Sequence, residues 1–289
     1  MQDDTLTELS SMTVAVTAAN SLVGQSLLPR LEELGAQVHA LVRRPADLPA
    51  TRVVSDWMTS PAALEALRGA DAVVHLTGEL FGTREQYEAA NAEPARRVAA
   101  ALSGGRARRV VSFSYPGADP ASANDFLRTK GEAERLLASV TESVVFRVHA
   151  LINSPSAVGP FEEALIAAKP GARVRTLGPG TQRLYPVYRP DAVEAVLAAL
   201  VRGHPGVYDL SGPDLMSLDG LIRLLNRDPE IAIRHTPPPL ARLLSRFVAD
   251  LPPAFVDLML RDEPGAPPER AAREFGLSLT SLHQVWARR

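Results

Sequence analysis

The chain has 289 residues, 46% of them hydrophobic, which is enough for a substantial core in one large or two smaller domains. Its 31 basic and 33 acidic residues leave a net charge of −2, so no general attraction to nucleic acid is expected, and no apolar run reaches the length of a membrane span. Cysteine is absent, which excludes disulfides and thiol nucleophiles.

The first residues, MQDDTLTELSSM, are polar and lack the charged start and apolar stretch of a signal peptide. They predict a flexible tail over residues 1–12 and a cytoplasmic location. Residues 14–44 then read as strand, phosphate-binding turn, helix and second strand. A β-branched run (Val14, Val16, Thr17) enters a tight turn. Leu27, Leu28, Leu31 and Leu34 follow on one helical face, and Gly35 stops the helix before a strand over 38–42.

In a dinucleotide-binding turn of this kind one glycine makes the turn, a second lets the backbone approach the pyrophosphate, and a third lets helix and strand pack closely. Here Ala18 and Ser21 stand at the first two places and Gly24 at the third. A Cβ at position 18 costs roughly 1 kcal/mol or more if the turn needs a left-handed residue. At position 21 a hydroxyl either crowds the phosphates or donates to them beside the helix N-terminus. Arg43 and Arg44 end the second strand, about 20 residues after the turn, where an NAD-preferring site carries an acidic residue. Two guanidiniums suit a 2′-phosphate, so the expected cofactor is NADP, with NAD as the alternative. A solvated strand end is the competing reading of the same pair.

A strand over 52–54 ends near Asp56, a helix is expected over 61–67, and 70–78 (ADAVVHLTG) reads as a buried strand entering a small-residue loop. A long helical pattern covers 85–102, followed by a strand over 109–113, a helix over 124–139 and a strand over 143–148. The alternation predicts an α/β fold, a doubly wound parallel sheet of Rossmann type, over residues 13–150. Residues 151–289 read as a smaller, partly interleaved substrate-binding region. Its expected elements are helices over 161–168, 190–202 and 218–226, and strands over 173–177, 206–210 and 231–234. From 236 onward the pattern is mostly helical, and the apolar segment 237–260 is a lid over a substrate pocket or a homodimer surface.

The six histidines lack metal-ligand spacing, so no metal site is expected, and no Gly-x-Ser-x-Gly elbow points to a hydrolase. His75 lies in a buried-looking strand and reads as a core histidine. His149 follows the sixth strand, where active-site residues often emerge.

Taken in order, the opening VAVTAANSLVG, LVRRP, SDW, DAVVHLTG, Asn91, VVSFS, FLRTKGEAE, PVYRPDAVEAV and YDLSGP resemble the extended and atypical short-chain dehydrogenase/reductases. The likeness is to NmrA-like, complex-I-accessory-subunit-like and NAD-dependent epimerase/dehydratase-like NAD(P)-binding members, and it spans residues 14–226. It implies a cofactor site built from Thr17, Ala18, Asn20, Ser21, Leu22, Val23, Arg43, Arg44, Asp56, Leu76, Thr77, Gly78 and Lys130.

Redox members of that family use a serine with a Tyr-x-x-x-Lys pair, the tyrosine moving a proton while the lysine lowers its pKa. Ser114 and Lys130 match, but Phe126 stands at the tyrosine position and cannot move a proton. Tyr115 is the preferred substitute, with Tyr87 and His149 as others. The resemblance therefore implies an NAD(P)H-dependent oxidoreductase acting on a small apolar carbonyl or conjugated substrate. Its alternatives are a non-catalytic NAD(P)-binding regulator or accessory protein, and a non-redox isomerase or cyclase.

Overall fold

In the computed structural model, which describes residues 8–169, 171–248, 251–262 and 265–287, the β-branched runs of the sequence become the strands of one parallel sheet. β1 (Thr13–Thr17) leads through a tight turn into α1 (Leu22–Glu33) and back to β2 (Gln37–Leu41) and β3 (Arg52–Val54). α2 (Pro61–Gly69) and β4 (Ala72–His75) follow. The helical stretch expected over 85–102 is not uniform. It consists of α3 (Arg84–Tyr87), a π-helical turn at Glu88–Ala92 and α4 (Glu93–Leu102). β5 (Arg109–Ser114), α5 (Asp125–Ala138) and β6 (Glu142–Arg147) complete the segment before residue 150.

The sheet does not close there. Beyond it come β7 (Leu151–Ile152), α6 (Pro160–Leu165), β8 (Val174–Leu177), β9 (Arg183–Leu184) and β10 (Val187–Tyr188). α7 (Arg189–Val201) then returns the chain to the main sheet, where β11 (Gly206–Asp209) pairs in parallel with β6. The seven-stranded order is β11-β6-β5-β4-β1-β2-β3. A boundary at 150 thus leaves out one strand and one helix of the sheet unit. The remaining elements are β12 (Met216–Ser217), α8 (Leu218–Asn226), β13 (Ile233–Thr236), α9 (Pro238–Leu244), α10 (Pro253–Met259), α11 (Glu269–Phe275) and α12 (Leu282–Val285). No helix among the described residues is long and apolar enough to cross a membrane.

Each sheet face is covered by helices carrying an apolar stripe. α1 buries Leu27, Leu28 and Leu31, and α7 packs beside it, apolar on nearly every side because sheet and neighbouring helices enclose it. Ala63, Leu67, Val98 and Leu137 from α2, α4 and α5 cover the opposite face. A third cluster, with Ile152, Leu184, Leu221 and Trp286, holds the smaller region together. Leu9, which the composition placed in a flexible tail, is fully buried in the first cluster, so the packed chain starts before residue 12. Residues 1–7 of that expected tail lie outside the described residues.

β1 is the point where strand order reverses, with β2 on one side and β4 on the other. In open α/β sheets ligands bind at the carboxyl ends of the strands beside such a switch. A cavity lined by Ser21, Leu76, Ser114 and Lys130 lies there.

Candidate functional site

The turn after β1 shows how the chain manages without two of its expected glycines. Ala18 adopts φ +49°, the left-handed region, at a cost of about 1–2 kcal/mol for a residue with a Cβ. Ser21 serves as the N-cap of α1, its Oγ accepting from the Gly24 N–H at 3.1 Å. Its hydroxyl oxygen is therefore engaged in the cap, while the hydroxyl proton can still be donated. A Cβ on Gly24 would lie 2.3 Å from the Ala19 carbonyl oxygen, so this glycine is required for the close packing of turn and helix. The first turn of α1 carries no acidic residue to oppose an anion at its N-terminus.

At the end of β1 the hydroxyl of Thr17 accepts from the Leu76 N–H (3.2 Å) and from Thr77 Oγ1 (3.0 Å). Its own proton is then left for His75 Nδ1 at 3.0 Å, which places the imidazole proton on Nε2. Burial pushes the His75 pKa down to about 3, and the nearby Lys130 charge acts in the same direction. His75 is thus the neutral core histidine that the sequence predicts. Thr17 and Thr77 are buried parts of this joint between β1 and β4 and do not line the cavity.

The cavity has a volume of about 490 Å³ and runs from the α1 turn to the smaller region. Ser21, Leu22, Val23, Leu76 and Gly78 line one part of it; Ser114, Tyr115, Phe126 and Lys130 line another. The expected reaction-centre residues are therefore gathered in one place. β5 delivers Ser114 at its C-terminal end, and one turn of α5 presents both Phe126 and Lys130.

Lys130 is half-buried, and its Nζ donates to the Phe113 carbonyl at 3.1 Å. Burial lowers its pKa to about 8, partly offset by the Glu134 carboxylate. Ser114 Oγ is buried without a hydrogen-bond partner among the described residues. Tyr115 places its hydroxyl 3.3 Å from His149 Nε2, and its ring packs edge-on against Phe126 at 5.4 Å. Burial pushes His149 down to about 4, so it is neutral at pH 7.

Tyr87, an alternative proton donor in the sequence reading, does not line this cavity. Its hydroxyl donates to the Leu80 carbonyl at 3.0 Å, and burial raises its pKa to about 12. Asn20, Arg43, Arg44 and Asp56 lie exposed on the sheet side of the turn, outside the cavity walls. The backbone nonetheless gathers this edge: Asp56, at φ +51°, donates its N–H to the Arg43 carbonyl (3.4 Å), and Ala19 N–H reaches the Leu41 carbonyl (3.4 Å).

Of the other parts of the site, Asn91 was named by the family resemblance, whereas the pairing of Glu162 with Arg189 carried no local signal in the sequence. Asn91 sits in the π turn, its Oδ1 accepting from Glu79 N–H (3.0 Å) and its Nδ2 donating to Thr129 Oγ1 (3.1 Å). It therefore shapes the loop after β4, a common use of π-helical turns near sites. Glu162 and Arg189 form a buried ion pair at 3.4 Å in the cavity wall, with Glu162 also accepting from Asn153 N–H at 2.8 Å. Their partnership links α6 to α7 across 27 positions, a separation that no periodicity reveals.

Residues 18–158 match a family model described as NAD(P)H-binding. The chain is similar to the mitochondrial NADH dehydrogenase (ubiquinone) 1 alpha subcomplex subunit 9 of Arabidopsis thaliana, with 26% identity over 235 residues and 75% of this chain covered. It spans 58% of that relative's length. Solved structures with the same fold include MoeE5 in complex with UDP-glucuronic acid and NAD, at 20% identity and TM-score 0.75, covering 95% of this chain and 96% of that one. The UDP-glucuronic acid 4-epimerase from Bacillus cereus in complex with NAD superposes with TM-score 0.74 at 16% identity over the same shares of the two chains. WbmH of Bordetella bronchiseptica, in complex with NAD+, gives 0.71 at 19% identity, covering 96% of each chain. The chain thus carries a Rossmann-type seven-stranded parallel sheet whose residues 18–158 match an NAD(P)H-binding family model.

Proposed function

We propose that the protein is an NAD(P)H-dependent oxidoreductase for a small apolar carbonyl or conjugated substrate, with Tyr115 in the role that position 126 cannot fill. The observation that carries this reading is the hydroxyl of Tyr115 in the cavity, 3.3 Å from His149 Nε2 and beside Ser114 and Lys130. The residues suit the cofactor. The N-terminus of α1 and the turn from Ala18 to Val23 offer backbone N–H groups to a pyrophosphate. Arg43 and Arg44 stand ready for a 2′-phosphate, and Asp56, at the same edge, for the adenine side. Lys130, Leu76 and Gly78, which line the cavity, would hold the inner ribose, and the unpartnered Ser114 Oγ would take a polar ligand atom. NADPH bound there supplies a hydride.

The side chains then have distinct tasks. Ser114 donates its hydroxyl to the substrate carbonyl oxygen and fixes its position. Tyr115 donates the proton that oxygen needs. His149, neutral, donates a hydrogen bond from Nε2–H to the phenolic oxygen and holds it in place, and solvent returns the proton that Tyr115 gives up. The ammonium of Lys130, present below about pH 8, favours the transient phenolate. The apolar walls, including Leu80, Phe113 and Phe161, exclude water and favour an apolar substrate.

The test is NADPH oxidation against a panel of aldehydes, ketones and quinones. Tyr115→Phe should lower kcat by about 100-fold or more with cofactor affinity unchanged. Equal turnover by wild type and variant would remove Tyr115 from the role. A second reading, a nucleotide-binding accessory protein, is supported by Phe126 and by the name of the Arabidopsis relative. It expects cofactor binding with no turnover on any member of the panel.

A further inference from the structure

A smaller chamber of about 40 Å³ adjoins the main cavity and shares Leu80, Tyr115, His149 and Phe161 with it. Its remaining walls are mostly apolar, among them Leu184, Leu218, Leu258 and Met259. Besides Arg261 and Arg183, the latter paired with Asp262, the polar member of the lining is Gln182. It is 7% exposed, and its Nε2 donates to the carbonyls of Leu177 (2.9 Å) and Met259 (2.6 Å). Carbonyls only accept, so these two contacts fix which end of the amide is nitrogen. The opposite end, Oε1, is buried with no hydrogen-bond partner among the described residues. Native proteins rarely leave a buried acceptor unsatisfied unless a ligand or an ordered water completes it.

We infer that this chamber is a subsite for the distal end of the substrate: an apolar group carrying a hydrogen-bond donor, a hydroxyl or N–H, that Gln182 Oε1 accepts. The inference rests on the main cavity being the substrate site, and it narrows the substrate class. About 40 Å³ is room for a short group of a few atoms, since one water needs roughly 10–15 Å³ by the same measure. One end of the substrate then meets Tyr115 and His149 at the shared opening while the other meets Gln182. An analogue lacking the donor leaves the acceptor stranded, and sites built this way discriminate strongly against such analogues.

The test needs neither cofactor nor turnover. Phenol and toluene have nearly the same shape and differ in the donor, so their affinities are measured by ligand-observed NMR on the full chain. Gln182→Met, which keeps the volume and removes the acceptor, should reduce the phenol-to-toluene affinity ratio by about tenfold. Leu218→Trp fills the chamber while leaving both Gln182 contacts in place, and should abolish phenol binding with NAD(P)H binding retained. Crystals of the wild-type protein soaked in phenol should show its hydroxyl on Oε1, a result that does not depend on either variant folding. An unchanged ratio in Gln182→Met, phenol binding that survives Leu218→Trp, or a water on Oε1 with phenol elsewhere would each overturn the subsite. Phenol recognition without any NAD(P)H binding would sink the redox reading and leave the subsite standing.

Discussion

Gly78 and Lys130 approach so closely that a Cβ on the glycine would lie 2.9 Å from the lysine Nζ, and 3.2 Å from Asn91 Oδ1. The loop after β4 and the helix α5 are thus fitted to each other around the lysine that the cavity presents. Gly78 itself is exposed, so a side chain there disturbs the lysine before it disturbs the core. Gly78→Val should therefore weaken NAD(P)H binding by about tenfold, the scale of one charge-assisted hydrogen bond. The thermal midpoint should change little. A large fall in the midpoint with unchanged cofactor affinity would contradict this placement of Lys130.

Ala18 offers a test of the turn itself. Relief of its left-handed strain is worth about 1–2 kcal/mol, against about 0.4–1 kcal/mol lost through the more flexible unfolded chain. Ala18→Gly should then raise the melting temperature by about 2 °C. Ala18→Val, β-branched at φ +49°, should lower it, and differential scanning calorimetry reads both.

The pH dependence follows from three buried bases. His149 titrates at about 4 and His75 at about 3 in the fold, both below the ordinary 6.5, because burial disfavours their charged forms. The unfolded chain takes up these protons first, so their neutral-state contribution is complete above pH 6.5 and is lost as pH falls toward 4. Melting temperature should drop over that window, and by less in His149→Phe. Lys130 acts with the same sign in a higher pH window. Lowered from 10.5 to about 8, its ammonium penalises the fold below pH 8, and that penalty lifts as pH rises to 10.5. Activity that uses the ammonium should instead decline above about pH 8.

Phe126 gives a gain-of-function test. It shares one turn of α5 with Lys130 and lines the cavity, with its ring edge-on to both Tyr115 and Tyr87. In Phe126→Tyr a new hydroxyl should restore carbonyl reduction to Tyr115→Phe, at a rate at least about tenfold above that single variant. No recovery in a cofactor-binding double variant would argue that position 126 faces away from the reacting atoms.

The sheet was legible because β-branched runs alternate with amphipathic helices, and the helix over 218–226 is found with the same ends. Two-residue strands such as β7 and β12 have no period to detect. The seventh strand, β11, was seen as a strand, but its partner β6 lies far earlier in the chain, so local pattern gave no reason to join them. In the site, Ser114, Phe126 and Lys130 were placed by the family resemblance of the VVSFS and FLRTKGEAE segments. Gln182 and the Glu162–Arg189 pair were not, because their meaning comes from partners on other elements. Leu9 was misjudged for a related reason: the few apolar residues of MQDDTLTELSSM are too short a run to establish a period, yet Leu9 is fully buried in the first cluster.

The most direct test of the account is calorimetric titration of the purified protein with NADPH, NADH, NADP and NAD. Binding in the micromolar range is expected, tighter for the phosphorylated forms, with that preference lost in an Arg43→Ala, Arg44→Ala double variant. Failure of all four to bind would show that the turn with Ala18 and Ser21 no longer holds a dinucleotide, and would contradict the central claim.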